Sequence, residues 1–197
     1  MNPTERLRTA GEFVEQLRLA IHEKELPATD RVRAAAPCLA IAQEHHHAIV
    51  LLIKHRLFAS SFSLLRVAFE AYVRGEWLAR CAADAQVQQF LACLEPPKLH
   101  VLLAELEGTP AFVEKVLSRL KSRHWSAMCA YTHTGGLHVQ RWNTAEAVEP
   151  AYAQEEVDEV LQFAEIIASL AVIGVLGLAA DEELALQVLE RFKLRTE

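Results

Sequence analysis

The sequence predicts an all-α protein, a single-domain helical bundle of six to eight helices. Three observations point there. The 197-residue chain carries only seven glycines and seven prolines, so it offers few turns and few helix breakers. Hydrophobic residues make up 52% of it and aromatics only 7%, so small and aliphatic side chains must build the core. Good helix formers fill the long segments between those few breakers, which argues for long helices. A chain of this length buries a sizeable core without disulfides and suits one domain.

Local signals set the elements. Pro3 suits a first helical turn, and Leu7, Phe13, Val14, Leu17 and Ile21 give the first amphipathic helix. Pro27 ends it and Thr29 caps the next, which runs from about 30 to 56 with a kink expected at Pro37. A third helix is expected over 57–83 and a fourth over 85–94, stopped by Pro96-Pro97. A short helix over 98–107 ends at Gly108. Thr109-Pro110 reads as a cap and first turn of a helix reaching Arg123, and a further short helix holds 125–131. Gly135-Gly136 opens a loop to Pro150. A long helix over 154–178 and a terminal one capped by Asp181 complete the chain. Residues 1–28 form the N-terminal helix, 30–180 the core bundle and 181–197 the C-terminal helix. The third and the late helix are expected at the centre, with Ile166 to Leu178 buried and the Gly174 and Gly177 pair allowing close packing.

Composition excludes several classes. A net charge of −6 and a pI near 5.9 are unlike the basic footprint of a general nucleic-acid binder. The one dense basic segment is Arg119, Lys121, Arg123, His124, which reads either as a solvated face or as a local nucleic-acid patch. Cys38, Cys81, Cys93 and Cys129 form no C-x-x-C pair and read as small hydrophobes in a reducing compartment. Residues 1–25 are charged throughout and lack the apolar stretch of a signal peptide. The longest nearly uncharged run, Ile166 to Ala180, falls short of the roughly 20 residues of a membrane span and reads as a core helix. The expectation is a soluble, cytoplasmic protein with no membrane partner.

On the third helix, at about 100° per residue, Arg66, Glu70, Arg74 and Trp77 share one narrow stripe. The opposite face is Leu64, Ala68, Ala71 and Gly75, so the helix has no ordinary solvated side. Its charges must be satisfied within the fold, and Glu70 is spaced to bridge both arginines. Two readings stand: an ion ladder that fixes helix register, or an anion or phosphate site in which Glu70 orients two guanidinium forks. The second polar element is Tyr131-Thr132-His133-Thr134-Gly135-Gly136, with Arg141 and Trp142 beyond it. His133 reads either as a general base or as a cap on helix C-terminal carbonyls. In the run Glu44-His45-His46-His47 the three histidines fan over about 200° and cannot share one ion, so neither metal nor other cofactor is expected, and the run reads as a partly exposed polar face.

The stretch Leu64 to Arg74 with Trp77-Leu78, then far downstream Tyr131 to Gly136, Arg141 and Tyr152, resembles an uncharacterised family of bacterial helical proteins. That group is similar in layout to HEPN-like and abortive-infection helical domains. The resemblance covers roughly residues 40–180 and rests on two separated motifs in order, Arg-x-x-x-Glu-x-x-x-Arg and Tyr-x-His-x-Gly-Gly. It implies a helical bundle, a homodimer, and Arg66, Glu70 and His133 brought together; it implies no settled activity. The chain departs from a HEPN ribonuclease in that its Arg-x4-His match is Arg119 to His124, upstream of the late helix where that motif is usual.

These residues support two functions of different class. In the first, a HEPN-like protein binds RNA or a nucleotide phosphate, as a ribonuclease of phage defence or a toxin–antitoxin system. Glu70 and His133 are then the catalytic candidates, and Arg66, Arg74, Tyr131 and Arg141 the ligand-binding ones. In the second, the constellation is a structural lock in a non-catalytic dimeric module that meets a cognate protein partner. Two arginines against one glutamate leave an excess positive charge, so Tyr131 or His133 is expected within hydrogen-bond reach of the stripe. Glu70→Ala is then expected to cost about 3–5 kcal/mol.

Overall fold

The computed structural model describes residues 2–196. It is all-α, with no strand among the described residues beyond an isolated bridge between Asn143 and Val148. The helices are α1 (Pro3–Ile21), α2 (Asp30–Lys54), α3 (Phe58–Arg80), α4 (Asp84–Leu91), α5 (Leu99–Leu106), α6 (Val116–Thr132), α7 (Gly136–Gln140), α8 (Gln154–Leu178) and α9 (Glu182–Thr196), with a 3-10 turn over Pro110–Lys115. The described residues hold nine helices against the expected six to eight, and α7 closes inside the expected loop.

Two start signals act as read. Thr29 accepts from Val32 N at 3.2 Å, and Asp181 accepts from Leu184 N at 3.1 Å. The Thr109 signal does not: its hydroxyl donates back to the Leu106 carbonyl at 2.7 Å, and the chain enters the 3-10 turn rather than an α-helix. Lys115 then takes a left-handed conformation, φ 52°, which ends that turn and lets α6 start afresh. From there α6 runs unbroken through Trp125, in place of the two helices expected. α2 runs through Pro37 as the one helix expected.

α2 and α3 pack most extensively, and α8 lies across both. Leu39 of α2 is the meeting point. A Cβ added to Gly75 of α3 would sit 2.8 Å from Leu39 Cδ2, and one added to Gly174 of α8 would sit 3.0 Å from Leu39 Cδ1. Both glycines are therefore required by close approach of three helices. Gly177, expected to share that role, faces open space. α8 is long and apolar enough to cross a membrane, yet most of its apolar length is buried in the bundle, so it is the core helix the sequence predicts. A smaller apolar cluster joins Phe13 and Leu17 of α1 to Ala168, Val172 and Leu176 of α8 and Val188 of α9.

The same junction holds a carboxylate. Glu76, 2% exposed, lies against Gly174, where any side chain would collide with its Oε1. It accepts from Arg80 Nε at 2.5 Å. The expected polar face at Glu44 to His47 also differs. His46 is 1% exposed and meets Phe13 edge-on, because it shares the buried side of α2 with Ala42 and Ile49, while Glu44 and His47 face solvent.

The junction makes two testable demands. Gly174→Ala should lower stability by about 1–3 kcal/mol through overpacking, whereas Gly177→Ala should raise it by up to about 1 kcal/mol; urea midpoints of the pair check this, and equal effects would contradict the junction. Burial pushes the Glu76 carboxyl above its ordinary value of 4.5, with Arg80 opposing. The native state then binds that proton more tightly than the unfolded chain, so its contribution falls as pH rises through the raised value. Against Glu76→Gln, the native protein should lose relative stability from about pH 4 upward and then level off; an opposite slope would contradict a buried carboxylate there.

Candidate functional site

The end of α6 is clamped onto α3. The Gly135 amide donates to the Ala130 carbonyl at 2.7 Å, and Thr134 carries the left-handed φ of 53° that such a helix stop requires. Neither glycine of the pair has positive φ. Gly135 is needed for space instead, since a Cβ would sit 3.1 Å from Ala130 Cα, while Gly136 faces open space. The Tyr131 carbonyl, in the last turn, is taken by side chains: Ser63 Oγ of α3 at 2.9 Å and His138 Nδ1 of α7 at 2.9 Å. Thr132 Oγ1 reaches the Ser63 carbonyl at 3.2 Å. The Tyr131 ring stands edge-on to Phe62 and His138.

That clamp delivers His133 to the α3 stripe. Arg66 Nε donates to Glu70 Oε1 at 2.7 Å, and its Nη1 lies 2.5 Å from His133 Nε2. A guanidinium only donates, so His133 Nε2 is the acceptor in this contact. The guanidinium also covers the Trp125 ring of α6 at 4.9 Å, and Lys121 Nζ lies 5.0 Å from the same ring. Arg66 and Glu70 side chains are 24% and 23% exposed, and His133 faces solvent. The cluster is therefore a surface site, not a sealed ion ladder.

The stripe is divided among neighbours. The expected bridge from Glu70 to both arginines is absent among the described residues: Glu70 meets Arg66 alone, and the Arg74 Nε is buried and lacks an acceptor. Trp77 is buried and donates to Glu105 Oε2 of α5 at 2.6 Å. Arg141 does not join Arg66. Its Nε lies 2.8 Å from both oxygens of Glu156, which also takes the Ala153 amide at the start of α8. Tyr131 lies behind His133 in the protein body.

Arg119 and His124, the Arg-x4-His pair, stand about 140° apart on α6. Arg119 faces solvent, whereas the His124 ring meets Phe163 of α8 at 5.3 Å. Burial first, then the Arg123 charge, holds His124 below its ordinary value, with Glu159 opposing. Sequence reasoning missed Trp125 as the plate between two cations; a lone tryptophan on an amphipathic helix carries no signal beyond burial. It missed Glu156 as well, although Arg141 required an acceptor.

Exposure at Glu70 lowers the expected effect of removing it. Glu70→Ala leaves one partly solvated guanidinium that keeps His133 and Trp125, so the cost should be about 1 kcal/mol or less, not the larger figure for two buried charges. A midpoint shift in urea worth about 3 kcal/mol or more would restore the sealed ladder.

No curated protein and no solved structure matches the chain. A family match is found over residues 39–193, which take in α3, α6, the His133 turn and α8. On that span the chain belongs to DUF6988, a family of unknown function.

Proposed function

We propose that this protein binds single-stranded RNA by its phosphate backbone on the face formed by α3 and α6. The observation that carries the reading is charge segregation. The chain is acidic overall, at −6, yet α6 holds Arg119, Lys121, Arg123 and His124 and not one carboxylate. Arg66 of α3 extends that field across Trp125 to His133. Cations interleaved with an aromatic plate suit a backbone with stackable bases.

His133 gives the site an acid–base group. An arriving phosphate captures the Arg66 guanidinium, with Glu70 keeping the fork oriented. Nε2 is thereby released to accept the proton of a ribose 2′-hydroxyl, whose oxygen attacks the adjacent phosphorus; the P–O5′ bond breaks, a 2′,3′-cyclic phosphate remains and the departing 5′-oxygen takes a proton from solvent. The likeness in layout to HEPN-like and abortive-infection domains adds to this proposal a homodimer in a bacterial cytoplasm, acting in phage defence or paired with a cognate protein. The other reading is the non-catalytic module, and one observation favours it: Arg66 already holds three partners.

Binding of a mixed-sequence oligoribonucleotide, monitored by anisotropy across salt, separates the two. Contacts from Arg66, Lys121 and Arg123 predict a slope of log K against log salt of about −2, and Lys121→Ala should reduce it by about 0.7. His133→Ala should keep binding and lose cleavage. Absence of binding at low salt removes the RNA reading and leaves the module.

A further inference from the structure

α1 and α2 leave a groove of about 640 Å³ between them at the surface. Phe13 meets His46, and Thr4 and Lys54 line the same groove, so the two helices run antiparallel. The apolar floor is Leu7 and Val14 of α1 with Val50 and Leu51 of α2. Leu51 is 45% exposed there. Gly11 stands midway along the α1 wall, and a Cβ added to it would meet nothing within 4 Å among the described residues. A glycine inside a helix weakens it relative to alanine. Gly75 and Gly174 are required by neighbouring helices, whereas nothing among the described residues requires Gly11. An exposed leucine beside a missing side chain is a knob and a hole, each without its mate.

The charges of this face are sorted by end. Arg8 is held by Glu5 and Glu12, and Glu15 by Arg18. Lys54 and Glu44 are exposed, and neither makes a hydrogen bond or ion pair among the described residues. Lys54 stands beside Thr4 at one end of the groove. Glu44, His47, Leu51 and Lys54 recur three and four residues apart, so they share one face of α2. Glu44 therefore lies about 15 Å from Lys54 along that face, towards the other end. The row ends in an open anion and an open cation, with an apolar side chain between them.

We infer that this groove receives α2 of a second copy of this chain, antiparallel and across a twofold axis. The inference rests on the homodimer of the reading above and not on RNA binding. Such an axis sets Lys54 of each copy opposite Glu44 of the other, so every open charge of the face finds its opposite. The same register brings Leu51 of one copy opposite His47 of the other. That position adjoins Gly11, where the missing side chain leaves room for the leucine. A parallel pair would instead set Lys54 against Lys54 and Glu44 against Glu44. A small anionic ligand would use Lys54 but give Glu44 and Gly11 no role. The seam is short beside a standard interface of roughly 20–30 residues a side, so the dimer should dissociate at about 10 μM.

Sedimentation velocity of the full chain across about 1–200 μM reads the monomer–dimer equilibrium, and native mass spectrometry reads what each species carries. Gly11→Leu fills the hole and removes a helix-weakening glycine. It should melt no lower than the native chain yet dimerise about tenfold more weakly. Lys54→Glu should also weaken the dimer about tenfold, and adding Glu44→Lys should recover most of that loss. Both positions are exposed, so these variants should fold. A dimer that all these variants leave unchanged overturns the seam while the homodimer stands. A double variant no better than Lys54→Glu overturns it as well, because the antiparallel register is then wrong. A monomer at every concentration overturns seam and homodimer together, and a bound small molecule in its native mass would give the groove to a ligand. Neither result bears on RNA binding.

Discussion

Leu39 fixes the rotation of α3, and the rest of the molecule depends on that rotation. Gly75 and Gly174 approach it from opposite helices, and Glu76 fills the space Gly174 leaves. Three backbones converge there with no room for another atom. A helix held at such a point cannot turn about its axis, because interiors are packed to crystal density and do not yield. With Gly75 turned inward, Arg66 and Glu70 must emerge on the far side of α3, where α6 crosses. The junction contributes no chemistry, yet it decides which stripe of α3 the solvent meets.

The second constraint is the end of α6. Its Tyr131 carbonyl is one of those a helix end leaves without an intrahelical partner, and here Ser63 and His138 both reach it. The bond from His138 Nδ1 also sets the tautomer, since a carbonyl accepts only from an N–H. The stop is thus stitched to α3 on one side and to α7 on the other, and His133 is the next exposed position. Electrostatics obey the same division. Carboxylates gather on α8, where Glu155 and Glu156 suit a helix start, while α6 stays free of them.

Much of the bundle is legible in the sequence because it rests on periodicity and breakers. The long helices, the Thr29 and Asp181 starts, the burial of Ile166 to Leu178 and the central place of α3 are all consequences of local pattern. The juxtaposition of His133 with Arg66 is legible from charge accounting, although a sealed stripe is not the reason for it. The sequence holds no measure of how far α6 and α5 spread over that stripe. Arg74 shows the same limit: i and i+4 spacing permits a bridge to Glu70, but a long side chain chooses by what surrounds it. Glu76 escapes a sequence reading because it pairs with Arg80 in a pattern indistinguishable from a surface pair. Its burial depends on Gly174, almost a hundred positions away. Thr134 taking the left-handed role beside two glycines is equally invisible, since residue type alone favours either glycine.

The Arg66–His133 contact is a poor choice if the cluster were only a lock. A neutral imidazole gives a guanidinium one hydrogen bond, where a carboxylate gives two and a full charge. Were the ring protonated, both groups would be donors and the contact would repel. A lock between α3 and α6 already exists at Ser63, Tyr131 and Thr132, built from neutral groups that no change of charge disturbs. The charged contact beside it adds little to that clamp. On the proposed reading its contribution is an exchangeable partner, since an arriving anion would take the guanidinium from the ring. An arginine held by one weak acceptor, one carboxylate and one aromatic face is oriented without being saturated, which is the condition for binding phosphate at a protein surface.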